Sequence, residues 1–217
     1  MAKKYHRIIP TISAIILLVA ASIVQALEVT VNDNNGKPIK DAVVYVVPNS
    51  KVMTTNNAPL VVDQVDKEFA PYMTAIQAGS KIDFPNNDKI RHQVYSFSNT
   101  KRFEIPLYSG TPSDPVLFEK PGIVALGCNI HDWMTAYIFV ADSPYFAVTD
   151  INGKAEIKDL IVGQHDIEAW HPTAKGDAKE TRQKTSTTTS TLTFILATKP
   201  VWRAWRAPNN ANTGGYR

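Results

Sequence analysis

Cysteine is almost absent: Cys128 is the only one in 217 residues. A lone thiol excludes an intrachain disulfide framework, the usual staple of small exported domains. Apolar runs long enough to cross a bilayer are lacking beyond the first 24 residues. There is no Gly-x-Ser-x-Gly turn and no glycine-rich phosphate loop, so the signatures of serine hydrolases and of nucleotide-binding enzymes are missing. Histidine and methionine are sparse as well, at 5 and 4. Any place where they meet the cysteine therefore carries information.

What the chain does have at its start is an export pattern. Lys3, Lys4 and Arg7 precede the apolar stretch IIPTISAIILLVAASIV, and Val24-Gln25-Ala26 has the small-x-small form of a signal-peptidase site. Residues 1–26 are predicted to be a signal peptide, and the protein to be periplasmic or secreted, with no membrane span after cleavage. No cysteine follows the cut, so a lipid anchor is not expected there. Removing the three basic residues of this segment leaves 20 basic against 20 acidic ones. A neutral mature chain has no electrostatic footprint for nucleic acid.

Residues 126–134 read LGCNIHDWM, placing His131 three positions after Cys128 and Met134 three further on. Two readings of Cys128 follow from these residues. A free cysteine often packs as a small buried hydrophobe. Alternatively, thiolate, imidazole and thioether form the donor set of a trigonal His₂Cys copper site with a weak axial methionine, which needs one more imidazole. His92 is the candidate, in KIDFPNNDKIRHQVYSF. There Ile82 and Phe84 alternate as in a strand, Pro85 to Asp88 form a turn cluster, and a second alternating run begins at His92. A strand ending at Cys128 and another beginning near Met134 would bring the ligands to one end of a β-sandwich.

Residues 62–141 resemble a cupredoxin, the family of small blue-copper proteins. The resemblance lies in Phe69-Ala-Pro71 and Ala78-Gly79-Ser80 as early strands, FPNNDKIRHQV as a first-histidine loop, and FEKPGIVALGCNIHDWMTAYIFV as the last two strands. The spacing Cys-x-x-His-x-x-Met is that of the amicyanin branch. What the resemblance implies is one type 1 copper bound by His92, Cys128, His131 and Met134, with Asn87 giving hydrogen bonds that fix the loop.

The flanking segments share a second pattern. VTVNDNNGKPIKDAVVYVV and AVTDINGKAEIKDLIVGQHDIEAW repeat the same turn chemistry between alternating strands. Joined, they resemble a carboxypeptidase-regulatory-like, transthyretin-type β-sandwich. The expected fold is all-β, with a cupredoxin Greek-key sandwich (60–143) inserted in this second sandwich (27–59 and 144–200), followed by a flexible tail (201–217). A single larger sandwich is the alternative. Residues 174–190 are polar and predicted to be a mobile loop, and Thr191 to Leu196 a closing strand. Trp133 either shields the metal or forms an electron-entry surface. His165 and His171 have no cysteine neighbour. The whole chain also resembles exported proteins labelled methylamine-utilisation-type.

These readings point to one-electron transfer with redox partner proteins and to no bond-making enzyme. A non-cycling copper carrier or sensor, and a structural or adhesion sandwich with a vestigial site, are the alternatives. A fold name is only an analogy for function until a site supports it.

Overall fold

The computed structural model describes residues 24–48, 59–112, 114–161, 163–176, 183–186 and 191–199, all of them strand or irregular connection without helix. The strands are β1 (Val24–Asp33), β2 (Val43–Val47), β3 (Leu60–Val61), β4 (Asp63–Val65), β5 (Glu68–Ala70) and β6 (Met73–Gln77). Next come β7 (Ser80–Asp83), β8 (His92–Phe97), β9 (Arg102–Tyr108), β10 (Val116–Phe118), β11 (Gly122–Gly127) and β12 (Thr135–Ala141). The last are β13 (Phe146–Val148), β14 (Lys154–Ile161), β15 (Gln164–Trp170), β16 (Gln183–Ser186) and β17 (Thr191–Leu196).

Period-two alternation explains the first pair of sheets. Leu27, Val29 and Val31 are buried on β1 while Ala26 and Glu28 face water. Sheet β14-β1-β17 stacks its inner face on β13-β2-β15-β16 around Leu27, Val44, Ile157, Leu160, Ile167 and Phe194. The matching turns are built alike. Asp33 Oδ1 accepts from the amides of Asn35 and Lys37 at 2.8 and 2.9 Å, and Asp150 Oδ1 from those of Asn152 and Lys154, both at 2.9 Å. Gly36 and Gly153 supply the left-handed residue in each turn, at φ +77° and +71°.

The chain leaves these sheets after β2 and returns at β13. Between them lie the five-stranded sheet β6-β12-β11-β8-β9, the sheet β10-β7-β3 and the hairpin β4-β5. Phe84, Phe118, Ile76, Ile82, Val94, Val124 and Ile138 fill the space enclosed, and Cys128 and Met134 belong to the same core.

A third core joins the two groups. β12 reads TAYIFVA, apolar on both faces. Ala136, Ile138 and Val140 point into their own sandwich, and Phe139 and Ala141 pack outward with Val43 of β2 and Met73 of β6. Trp170 on β15 closes this seam, its ring 5.9 Å from Tyr137 and 6.0 Å from Phe139. Strands buried on both faces lose the alternation that marks a half-exposed one.

One expectation changes. Within the segment predicted to be a mobile loop, Gln183 to Ser186 form β16, paired antiparallel with β15 through Ile167↔Gln183 to Gln164↔Ser186. The β-branched threonine there suits an edge strand despite the polar composition. Near the predicted cleavage site, Val24 to Ala26 continue β1, with Val24 opposite Ile161. The rest of the predicted signal peptide and the tail 201–217 lie outside the described residues. Among the described residues no helix is long and apolar enough to cross a membrane.

Candidate metal centre

Two loops at one end of the inner sandwich carry the residues singled out in the sequence. The first runs from Phe84 to Arg91, between β7 and β8. Buried Asn86 holds it from within: its Nδ2 donates to the carbonyls of Tyr108 at 2.7 Å and Ile90 at 3.0 Å, and its main chain pairs with Gly110. Its Oδ1 accepts from the Asp88 amide at 3.0 Å. Asn87, expected to fix the loop, is exposed and ties it to β4 from outside, its side-chain amide donating to Asp63 Oδ2 at 2.7 Å and its main-chain N–H to the Gln64 carbonyl at 3.1 Å; the buried support comes from Asn86. In a turn the side chains do not alternate in and out, so parity could not choose between neighbouring asparagines.

The second loop joins β11 to β12. Leu126 and Gly127 end β11, and Gly127 packs under the Tyr95 ring, where an added Cβ would sit 2.6 Å from Tyr95 Cζ. Cys128 follows, 4% exposed. The loop then turns tightly, with the Met134 amide donating to the His131 carbonyl and the Thr135 amide to that of Trp133, both at 2.9 Å. Asn129 ties it to β8 by donating to Gln93 Oε1 at 2.7 Å.

His92 opens β8 and is wholly buried. One ligand atom each from His92, Cys128 and His131 lie within 4.8 Å of one another. His92 Nδ1 is 3.9 Å from Cys128 Sγ, and the two imidazole centroids are 5.1 Å apart. Met134, 1% exposed, lies in the core cluster that holds Cys128.

The tautomer of His92 is assigned from its other nitrogen: Nε2 is 2.9 Å from Asp88 Oδ2, so Nε2–H donates and Nδ1 keeps its lone pair on the side of Cys128. Burial alone would raise the Asp88 carboxyl, but hydrogen bonds from His92 and from the amides of Lys67 and Lys89 outweigh it and hold the group below the usual carboxylate range. A carboxylate behind an imidazole fixes ring orientation and raises ligand basicity, the usual support of a metal-binding histidine.

His131 is partly exposed, and its Nδ1 is buried with no hydrogen-bond partner among the described residues. Burial, then the neighbouring His92 and Lys67, push its basicity down, against an opposing pull from Asp88. A neutral imidazole with an orphaned inward nitrogen is costly unless something accepts that lone pair. With Cys128 and His92 Nδ1 close by, a metal ion would answer the deficit. The set of two imidazoles, a thiol and a nearby thioether suits copper among the first-row metals. These residues fit the group.

Behind the site, Tyr108 lies opposite His92 in the β8–β9 register. Its hydroxyl donates to the Phe84 carbonyl at 2.6 Å and accepts from Gln64 Nε2. Burial pushes its ionisation up to about 12, with Asp63 and Cys128 adding to the rise, so it stays a neutral donor. Asp88, Asn86, Gln64 and Tyr108 were not singled out in the sequence. Gln64 and Tyr108 meet their partners only across loops, whereas Asp88 lies four positions before His92, a spacing that could have marked it.

No protein-family model and no curated protein matches the chain. Among solved structures, a copper-containing nitrite reductase from Thermus scotoductus SA-01 is 24% identical, with 45% of this chain aligned to a quarter (25%) of that one, at TM-score 0.37. A purple cupredoxin from Nitrosopumilus maritimus is 19% identical over 38% of this chain and 99% of its own, at 0.33. A reduced amicyanin variant is 14% identical over 45% of this chain and 98% of its own, at 0.35. At these values the chemistry of the site rests on its own geometry.

The other two histidines among the described residues lie elsewhere. His165 donates from Nε2 to the Ile161 carbonyl at 2.7 Å. His171 lines a cavity of about 400 Å³ with Asp41, Tyr72 and Thr173, and its Nδ1 bonds to Thr173 Oγ1 at 2.7 Å. Trp133 stacks beside His131 with centroids 4.9 Å apart and donates from Nε1 to the Lys67 carbonyl at 3.1 Å.

Proposed function

We propose that the chain is a type 1 copper protein that carries single electrons between redox partner proteins outside the cytoplasm. The observation that carries the reading is the meeting of buried His92 and Cys128 with His131, whose inward nitrogen is unpartnered among the described residues, while His92 is already fixed by Asp88. Copper held by these residues and Met134 would supply a one-electron couple between Cu(I) and Cu(II).

The protein's part is to hold the donors still and to keep water out. His92, Cys128 and Met134 are at most 4% exposed, so these three side chains offer no open face to solvent. His131 alone is partly exposed, on the short loop between Cys128 and Met134, and offers the shortest route to a partner. That asymmetry favours electron transfer over bond-making. The reading takes residues 1–26 as an export signal and places the protein in the periplasm. It takes residues 27–59 and 144–200 as one sandwich receiving residues 60–143 as an insertion. A link to methylamine utilisation rests on resemblance alone.

Electron transfer and copper carriage separate in one experiment on the same copper-loaded sample. Stopped-flow mixing with a small reduced redox protein should show fast electron exchange, and competition with a chelator should show slow metal loss. Slow reduction with rapid loss of Cu(I) would replace this reading with the carrier.

A further inference from the structure

One histidine opens β8 and the other lies on the β11–β12 loop, yet their supports meet at one residue of a third element. Strands β4 and β5 pair directly, with Val65 opposite Glu68, so Asp66 and Lys67 form a two-residue turn. Both lie in the left-handed region, at φ 52° and 60°. Two-residue hairpins whose twist matches the strands need positive φ at both positions, where Asn-Gly is the favoured pair. Lysine has no intrinsic reason to sit there.

The main chain of Lys67 faces the metal-ligand loops. Its N–H donates to Asp88 Oδ2 at 2.8 Å, the same oxygen that accepts from His92 Nε2 at 2.9 Å. Its carbonyl accepts from Trp133 Nε1 at 3.1 Å, and the Trp133 ring stands against His131. The contacts form one chain, from His92 through Asp88, Lys67 and Trp133 to His131. The hairpin itself is anchored, because Phe69 on β5 and Gln64 on β4 are buried, at 4% and 0% exposed. Gln64 also gives its main-chain N–H to the Pro85 carbonyl at 3.1 Å and accepts from the Asn87 amide at 3.1 Å.

We propose that the Asp66–Lys67 turn is a backbone clip that sets the spacing of the two imidazoles through the main chain of Lys67, which makes Asp88 and Trp133 two ends of one positioning device. The proposal rests on the copper reading for its purpose, while the clip itself is made of hydrogen bonds between protein groups alone. A clip anchored in the core would hold both rings whether or not a metal is bound. The left-handed lysine then has an explanation: the turn must present an amide to one loop and a carbonyl to the other.

A double-mutant cycle on the full chain tests this, using Asp88→Asn, which weakens one end, and Trp133→Phe, which keeps a ring beside His131 but deletes the N–H. Copper loss to a chelator is expected to speed up about tenfold in each single variant, the scale of losing a group that supports a ligand. If the two ends share one clip, the double variant should lose copper far less than a hundredfold faster, and the visible spectra of all three should shift alike. Independent effects, multiplying to about a hundredfold, would overturn the proposal.

Metal-free protein gives a second test that does not depend on copper uptake. Hydrogen exchange of the Trp133 indole N–H should be slow in the wild type, and Asp88→Asn should speed it even though it alters only the far end of the clip. An indole that exchanges at the free rate in the wild type, or is indifferent to Asp88→Asn, would refute the clip whatever the metal. Should the protein take up no copper while the indole is protected and responds to Asp88→Asn, the copper reading fails and the clip stands.

Discussion

Truncating Phe139 to alanine tests whether the two sandwiches behave as one body. Phe139 is 6% exposed and belongs to the seam with Val43, Met73 and Ala141. Its ring lies 4.7 Å from that of Tyr45 on β2 and 6.0 Å from that of Trp170 on β15. Removing a buried phenylalanine costs roughly 3–5 kcal/mol, and each aromatic contact adds about 0.5–1.5 kcal/mol beyond area alone. The contacts are with the outer sandwich, but the residue sits on β12, which begins immediately after Met134. The loss should therefore appear in both. Denaturant unfolding followed by far-ultraviolet dichroism and by the copper absorption band should give coincident transitions in the wild type, and both should move to lower denaturant by the same amount in Phe139→Ala. A cost below about 1 kcal/mol, well under the scale for a buried phenylalanine, or a shift in only one probe, would refute the seam as a packed core.

Two further outcomes are expected. Burial holds His171 down at about 4, against its ordinary 6.5 and despite a raising pull from Asp41. Its folded pKa lies below the unfolded one, so its contribution to stability is complete above pH 6.5 and is lost as pH falls toward 4. Stability of the metal-free protein should fall there by up to about 1.4 kcal/mol per pH unit. The Thr173 amide donates to His171 Nδ1 at 3.2 Å and an asparagine oxygen can still accept from it, so His171→Asn should remove part of that slope, leaving the part due to His131; an unchanged slope in denaturant titrations at several pH values would count against it. Met134→Gln, which substitutes an amide oxygen for a thioether at a residue 1% exposed, should retain copper and lower the reduction potential by favouring Cu(II). Voltammetry showing an unchanged or higher potential would remove Met134 from the ligand set.

The parts of the molecule legible in the sequence are those governed by local period and turn chemistry. The alternation of Leu27, Val29 and Val31 and the paired Asp–Gly turns mark the outer strands, and the spacing of Cys128, His131 and Met134 marks a loop between two strands. The seam was hidden because β12 is apolar on both faces, which looks the same whether one partner sheet or two cover it. Strand β16 was hidden because its threonine and glutamine read as solvated loop until β15 pairs with them. The support of the site was hidden for another reason. Asp88, Lys67 and Trp133 are joined by hydrogen bonds between residues up to 66 positions apart, both of them through main-chain atoms of Lys67 that side-chain identity does not report.

The central claim is that Cys128 and two histidines hold a copper ion through a thiolate bond, and its most direct measurement is the visible spectrum of the purified protein titrated with Cu(II). The account predicts uptake of one copper per chain, an intense visible absorption band, and loss of that band in Cys128→Ser with the β-rich dichroism of the fold retained. Copper bound without colour, or colour that survives Cys128→Ser, would contradict it.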